Sequence, residues 1–157
     1  MSTLIVYYSL TGHVKNLVKK IEDNFDFDTL EIKTKSDFQY KGPLKFIVGG
    51  FQSLNGYCPA IQDTNVNFNN YSKFIFITPI WAGGYAPAFN SFLTKYDFAN
   101  KEIILITSSG ASNDSAIEKF KQKLPMSKIT NSFSIHDKKN EEIDLVIESL
   151  KNSYGMF

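Results

Sequence analysis

Five short apolar runs alternate along the chain with segments of helical periodicity, and this alternation limits the possible folds more than any other feature. The runs are rich in β-branched and aromatic residues, so they are predicted strands, at residues 3–8, 27–32, 73–77, 102–106 and 129–135. Apolar residues at helical spacing follow each run, and Pro43 is predicted to open the helix after the second. Alternation of this kind predicts an α/β fold, a parallel sheet with helices on both faces.

The length and the charge balance exclude several classes of protein. The 157 residues suit a single domain over 1–157. With 17 basic and 16 acidic residues and no basic stripe, the chain is not expected to bind nucleic acid. One cysteine, Cys58, excludes an internal disulfide and a cysteine-cluster metal site, and two distant histidines do not make a metal site. No apolar run has membrane-spanning length and no charged leader precedes the first strand, so we expect a cytoplasmic protein without a membrane partner.

Three of the loops that follow predicted strands carry an unusual set of small polar, glycine and aromatic residues. They follow the first, third and fourth strands, at residues 9–13, 78–87 and 107–113. The connections that lead from helices back to strands lack such residues. Because ligands of open parallel sheets bind at the carboxyl ends of the strands, three specialised loops at one end predict a ligand site there.

The first loop favours an anion. Ser9 and Thr11 offer hydroxyl groups, Gly12 lets the main chain approach, and the helix that begins near His13 offers the amides of its first turn, including that of Val14. The pattern is neither a Walker A loop nor a dinucleotide-binding G-x-G-x-x-G. Ordinary helix capping by Ser9 or Thr11 is the alternative explanation.

The other two loops favour a flat aromatic ligand. The second combines ring faces with glycines that permit positive φ and close approach; its candidate residues are Pro79, Ile80, Trp81, Ala82, Gly83, Gly84 and Tyr85. A plain strand-to-helix connection whose aromatics cover the sheet remains the alternative. The third loop offers small donors at Ser108, Ser109 and Gly110. Together the three loops describe a phosphorylated, planar aromatic ligand.

These motifs resemble those of the flavodoxin family, and the resemblance extends over essentially the whole chain. Tyr8-Ser-Leu-Thr-Gly-His-Val14 is similar to the phosphate loop of that family, although Val14 stands where a hydroxyl residue is usual. Pro79-Ile-Trp-Ala-Gly-Gly-Tyr85 resembles its flavin-ring loop, and Ser108-Ser-Gly-Ala111 occupies the place of its third flavin-contacting loop. The resemblance implies a doubly wound, five-stranded sheet of order 2-1-3-4-5.

The resemblance also implies FMN, held without a covalent bond. Ser9, Thr11 and Gly12 would hold its phosphate with the help of the helix that starts at His13. The main chain from Trp81 to Gly84 would line the flavin ring, which Trp81 and Tyr85 would flank, while residues 108–111 would offer donors to its polar edge.

The implied function is electron transfer to and from redox partner proteins, a reductase and an acceptor, by a monomer rather than a dimer. Electron carriers of this family are usually strongly acidic, whereas this chain has a net charge of +1. A small FMN-dependent reductase that passes hydride from NAD(P)H to quinones or similar acceptors is therefore the alternative, and whether the protein is an enzyme stays open. A phosphate-accepting receiver domain is a remote third class, because it needs acidic residues where the chain has Tyr7-Tyr8-Ser9 and Ile77-Thr78-Pro79.

Overall fold

A computed structural model of the protein describes residues 2–36, 48–49, 51–52, 55–110, 114–136 and 139–156. In chain order, the elements are β1 (Thr3–Tyr7), α1 (His13–Glu22), β2 (Asp28–Glu31), a 3-10 turn (Phe68–Asn70), β3 (Lys73–Trp81), β4 (Gly84–Tyr85), α2 (Pro87–Lys95), β5 (Glu102–Ser109), α3 (Asp114–Lys121), β6 (Lys128–His136) and α4 (Asn140–Ser153). Among the described residues, no helix is both long enough and apolar enough to cross a membrane.

The sheet has the strand order β2-β1-β3-β5-β6, and neighbouring strands along this path are parallel. Since β5 and β6 are the fourth and fifth predicted strands, this confirms the predicted order 2-1-3-4-5. The two-residue β4 lies off the path and pairs with the end of β3 in the antiparallel sense.

Helices cover both faces of the sheet, as predicted. Side chains of a strand point alternately to its two faces, so Ile75 and Ile77 of β3 pack with α1 and α4, while Phe74 and Phe76 pack with α2 and α3. All four side chains are completely buried. Helix α1 joins the core because its apolar residues recur at helical spacing on one side, at Val14, Leu17, Val18 and Ile21.

Two strands run further than the sequence predicts. β3 continues from Ile77 to Trp81, and β5 continues from Ile106 to Ser109. The two extensions pair with each other, Thr78 opposite Thr107 and Pro79 opposite Ser108, so they belong to the sheet despite their loop-like composition. Of the helix predicted to open at Pro43, residues 48–49 and 51–52 are helical, and its start lies outside the described residues.

Candidate functional site

The three specialised loops meet in one cleft of about 270 Å³ at the carboxyl edge of the sheet. They meet because β1, β3 and β5 are neighbours, so their ends lie side by side. The chain also reverses its direction of travel across the sheet between β1 and β3, which is where open α/β sheets bind ligands. The cleft is lined by Ser9, Leu10, Thr11, His13, Val14, Pro79, Ile80, Trp81, Ser108, Ser109 and Gly110.

The first loop turns sharply into α1 and leaves two amides at the helix start. Gly12 caps the helix with a φ of 89°, a left-handed conformation that favours glycine. The Ser9 Oγ accepts a hydrogen bond from the Lys15 N–H at 3.2 Å and so satisfies one amide of the first turn, although the N-cap position belongs to Gly12. Within the described part of the chain, the N–H groups of His13 and Val14 have no acceptor, and they add to the positive end of the helix dipole.

The second loop is a tight β-hairpin. Ile80 pairs with Tyr85 and Trp81 with Gly84, which leaves Ala82 and Gly83 as a two-residue turn. Their φ angles are 46° and 80°, and positive values at both positions are typical of the type I′ turns that join twisted strands. The sequence predicts positive φ at the glycines of this loop. In the structure, positive φ occurs at Ala82 and Gly83 and not at Gly84.

The hairpin is held at its base and at its tip. At the base, the buried Thr78 Oγ1 accepts the Ala86 N–H at 3.0 Å. At the tip, the Lys119 Nζ donates to the Gly83 carbonyl at 3.2 Å. These contacts fix the backbone that borders the cleft.

The two aromatic residues of the hairpin have different surroundings. Trp81 lines the cleft and packs edge-on against Tyr8, with ring centroids 5.8 Å apart. Tyr85 lies in the interior instead, edge-on to Phe120 at 4.6 Å, and its hydroxyl donates to the Asn90 Oδ1 at 2.6 Å. Burial raises the pKa of Tyr85 to about 12, so this hydroxyl stays protonated.

The third loop contributes the end of β5. Ser108 and Ser109 are buried at the cleft wall, and the exposed Gly110 follows them. Of the predicted site residues, Gly12, Ala82, Gly83, Gly84 and Tyr85 are not among the described residues that line the cleft; Gly12 lies at the start of α1 and the other four in the hairpin. Sequence reasoning missed Leu10, although its position between Ser9 and Thr11 in the first loop was a sufficient signal.

None of the described residues that line the cleft is acidic, so among them no carboxylate opposes the positive end of the α1 dipole. The nearby Lys15 is engaged with Glu31 at 3.5 Å. The described residues contain no group of three or more histidine, cysteine or acidic side chains that could hold a metal ion.

The family model described as flavodoxin matches residues 2–149 of this chain. No curated protein matches the sequence.

Solved structures share the fold over nearly the full length. The flavoprotein of Lactobacillus acidophilus in complex with FMN superposes with a TM-score of 0.74 at 22% identity, covering 92% of this chain and 97% of that chain. A protein from Bacteroides uniformis gives a TM-score of 0.76 at 19% identity, with 94% and 97% covered. Oxidised flavodoxin 2 from Bacillus cereus gives 0.57 at 14% identity, with both chains fully covered at 100%.

Proposed function

The chain belongs to the flavodoxin family, and on that premise we propose that it binds FMN in the cleft and exchanges electrons with redox partner proteins. The observation that carries the proposal is the meeting of three strand ends in a cleft whose described lining residues include no acidic one, with two amides at the start of α1 that have no acceptor among the described residues. A phosphate needs main-chain donors such as those at the start of α1, and a flat ring needs an open cleft a short distance from them.

The residues at the start of α1 fit the phosphate. Ser9 and Thr11 supply hydroxyl groups, and the N–H groups of His13 and Val14 supply main-chain donors. Val14 lacks the hydroxyl usual at its position, and its side chain is 2% exposed and packs into the core beneath α1. Its N–H can still donate, so the substitution removes one bond and keeps the anion site.

The opposite part of the cleft fits a ring. Trp81 and Ile80 form an apolar wall at the end of β3, and Ser108, Ser109 and Gly110 line the cleft at the end of the neighbouring β5. A volume of about 270 Å³ lies just below the range of about 300–1,000 Å³ that is typical of clefts that engulf small ligands. Part of the bound group is therefore expected to remain at the surface, where a partner protein can reach it.

FMN supplies reversible one- and two-electron redox chemistry when it is bound. This chain holds the phosphate, orients the ring against Trp81 and keeps the hairpin backbone in place through Thr78 and Lys119. The apolar wall excludes water from one side of the ring and so affects the potential at which electrons are exchanged.

The charge balance favours keeping the small NAD(P)H-dependent reductase as a second candidate. A net charge of +1 and the lack of acidic residues among the described lining of the cleft give weak electrostatic steering of basic partner proteins. The same charge distribution does not oppose the approach of the anionic NAD(P)H.

Reconstitution with FMN tests both levels of the proposal. The protein should become yellow and should release FMN, not FAD, on denaturation. Protein that folds and binds no FMN at micromolar concentrations would contradict the cofactor assignment. For the loaded protein, reduction by a ferredoxin-type reductase but not by NADH or NADPH alone indicates the carrier, whereas rapid bleaching by NADH or NADPH indicates the reductase.

A further inference from the structure

A buried chain of hydrogen bonds leads from the hairpin, through α2, to the loop at residues 57–59. The Tyr85 hydroxyl donates to the Asn90 Oδ1 at 2.6 Å, and the Asn90 Nδ2 donates to the Tyr57 carbonyl at 3.2 Å. Tyr85 and Asn90 are 6% and 5% exposed, whereas Tyr57 is 48% exposed. An exposed loop is thus connected to the wall of the cleft through groups that water scarcely reaches.

The asparagine amide suits this connection because it is both a donor and an acceptor. A main-chain carbonyl can only accept, so the Nδ2 must face Tyr57 and the Oδ1 is left for the Tyr85 hydroxyl. Aspartate would lose the donor, and leucine would lose both. Leaving a buried polar group without a partner costs free energy. A movement of the loop or of the hairpin that breaks one of the two bonds is therefore expected to disturb the other.

Tyr85 is in turn connected to the cleft through its strand partner. It is paired across the hairpin with Ile80, and Ile80 lines the cleft. A shift of Tyr85 therefore moves the strand that carries Ile80 and Trp81.

A second contact holds the same loop but does not reach the hairpin. The Ser91 Oγ donates to the Pro59 carbonyl at 2.5 Å. Ser91 follows Asn90 in α2. A substitution at Ser91 therefore tests the docking of the loop on α2, whereas a substitution at Asn90 also tests the coupling of the loop to the hairpin.

We propose that Asn90 is a positioning residue for the cleft, coupling the loop 57–59 to the hairpin 80–85. When the loop or the hairpin is held in one position, the two hydrogen bonds of Asn90 hold the other segment in the matching position. Since coupling between two sites is reciprocal, a ligand that fixes the hairpin also restricts the loop, and a partner that contacts the loop acts on the hairpin. The consequence for FMN rests on the function proposed above, whereas the coupling itself belongs to the protein without a ligand.

The chain offers a natural pair of reporters for the test. Its one cysteine, Cys58, is exposed in the loop, and its one tryptophan, Trp81, lies in the hairpin. An acceptor dye attached to Cys58 quenches the emission of Trp81 by energy transfer, and this quenching reports the distance between the loop and the hairpin without FMN. The affinity for FMN and the visible absorption band of bound FMN are measured on unlabelled protein.

Two variants break the coupling, and a third is the matched control. Asn90→Ala removes both bonds, and Tyr85→Phe removes the hydroxyl while keeping the ring packed on Phe120. Each is expected to change the quenching, shift the absorption band and weaken FMN binding by about tenfold, within the range typical of coupled sites. Ser91→Ala cuts only the loop contact, so its FMN affinity should change by less than about twofold, as expected for a site outside the network.

Two results would overturn the proposal. One is unchanged quenching in both Tyr85→Phe and Asn90→Ala; if Asn90→Ala does not fold, the conservative Tyr85→Phe decides alone. The other is an equal effect of Ser91→Ala and Asn90→Ala on FMN affinity, because docking of the loop would then be sufficient. Failure of the wild-type protein to bind FMN would contradict the proposed function, and the quenching of the ligand-free protein would still decide the coupling.

Discussion

Gly12 shows how one residue determines what the start of α1 can bind. Nothing lies within 4 Å of the Cβ that a side chain would add there, so space does not require glycine. The φ of 89° does require it, because this conformation is unfavourable for residues with a Cβ atom. The turn that it permits starts α1 at the cleft, which His13 and Val14 line.

Replacement of Gly12 by aspartate tests the anion site. Gly12→Asp places a carboxylate beside the amides, where it competes with phosphate for the positive end of α1. Gly12→Asn is the matched control, because asparagine has the same shape, tolerates positive φ and is neutral. We expect the Gly12→Asp variant to bind FMN at least about tenfold more weakly than the Gly12→Asn variant, a difference of about 1.4 kcal/mol in binding free energy. Fluorescence titration measures both affinities.

Riboflavin, which lacks the phosphate, separates the charge effect from a change of shape. Both Gly12 variants should bind riboflavin alike. Equal FMN affinities in the two variants would show that the phosphate does not lie at this helix start.

At the scale of elements, the hairpin depends on a turn with two left-handed residues. Glycine occupies the second position, but alanine occupies the first, with a φ of 46°. Alanine in this conformation is strained, and the pairs Ile80–Tyr85 and Trp81–Gly84 compensate for the strain.

Gly83→Ala should therefore lower the stability of the protein. A second residue with a Cβ atom at positive φ costs about 1–2 kcal/mol. Ala82→Gly is the converse control: relief of strain and the larger entropy of the unfolded chain oppose each other, so its net effect should be small. Urea denaturation monitored by the fluorescence of Trp81 measures both variants, and unchanged stability of Gly83→Ala would contradict the turn geometry.

The connection between β6 and α4 depends on one carboxylate. Glu142 accepts the main-chain N–H of His136 at 2.7 Å, lies 2.9 Å from the His136 Nδ1, and pairs with the Lys139 Nζ at 3.2 Å. The hydrogen bond from the His136 main chain, followed by the one from its ring, lowers the pKa of Glu142 to about 2.

This lowered pKa predicts a pH dependence of stability. Because the folded pKa is below the unfolded value of 4.5, the carboxylate stabilises the fold above that pH and loses its effect as the pH falls from 4.5 toward about 2. Glu142→Gln should be less stable at pH 7 and should flatten the dependence of unfolding free energy on pH in that window.

Glu141→Gln is the control for this effect. Its exposed side chain lies in the same helical turn and makes no hydrogen bond or ion pair with any described residue. It should keep the wild-type pH dependence. The same slope in Glu142→Gln and the wild type would contradict the assigned contacts.

At the scale of the whole molecule, the two faces of the sheet have cores of different composition. The face under α1 and α4 is mostly aliphatic, whereas the face under α2 and α3 is rich in phenylalanine. Phe76 lies at the centre of the second face, with four phenylalanine rings of other elements within 5.1–6.3 Å of its own, those of Phe89, Phe92, Phe98 and Phe120.

Truncation at this centre should affect the entire fold. Phe76→Ala removes a fully buried ring from a packed cluster and is expected to cost about 3–5 kcal/mol of unfolding free energy. Met126→Ala is the contrasting variant, because Met126 is 69% exposed and its truncation should change stability by less than about 0.5 kcal/mol. Thermal and urea denaturation measure both, and similar losses in the two variants would contradict the assigned core.

The sequence by itself determined the two-sided helical layers and the placement of three specialised loops at one edge, whereas the strand order was implied by the resemblance to flavodoxins. These features depend on local periodicity and on chain order: apolar β-rich runs make buried strands, and the carboxyl ends of parallel strands share one edge. Ser9, Trp81 and Ser108 could therefore be placed at one edge without any knowledge of contacts.

Only the tertiary structure decided where the strands stop and which side chains reach the cleft. Thr78 and Pro79 belong to β3 because Thr107 and Ser108 pair with them, a contact that no local pattern records. Tyr85 lies in the interior because Phe120 and Asn90 provide its surroundings, and Asn90 reaches Tyr57 across 33 positions of the chain. Such contacts depend on the packing of separate elements, and packing is fixed only when the whole chain has folded.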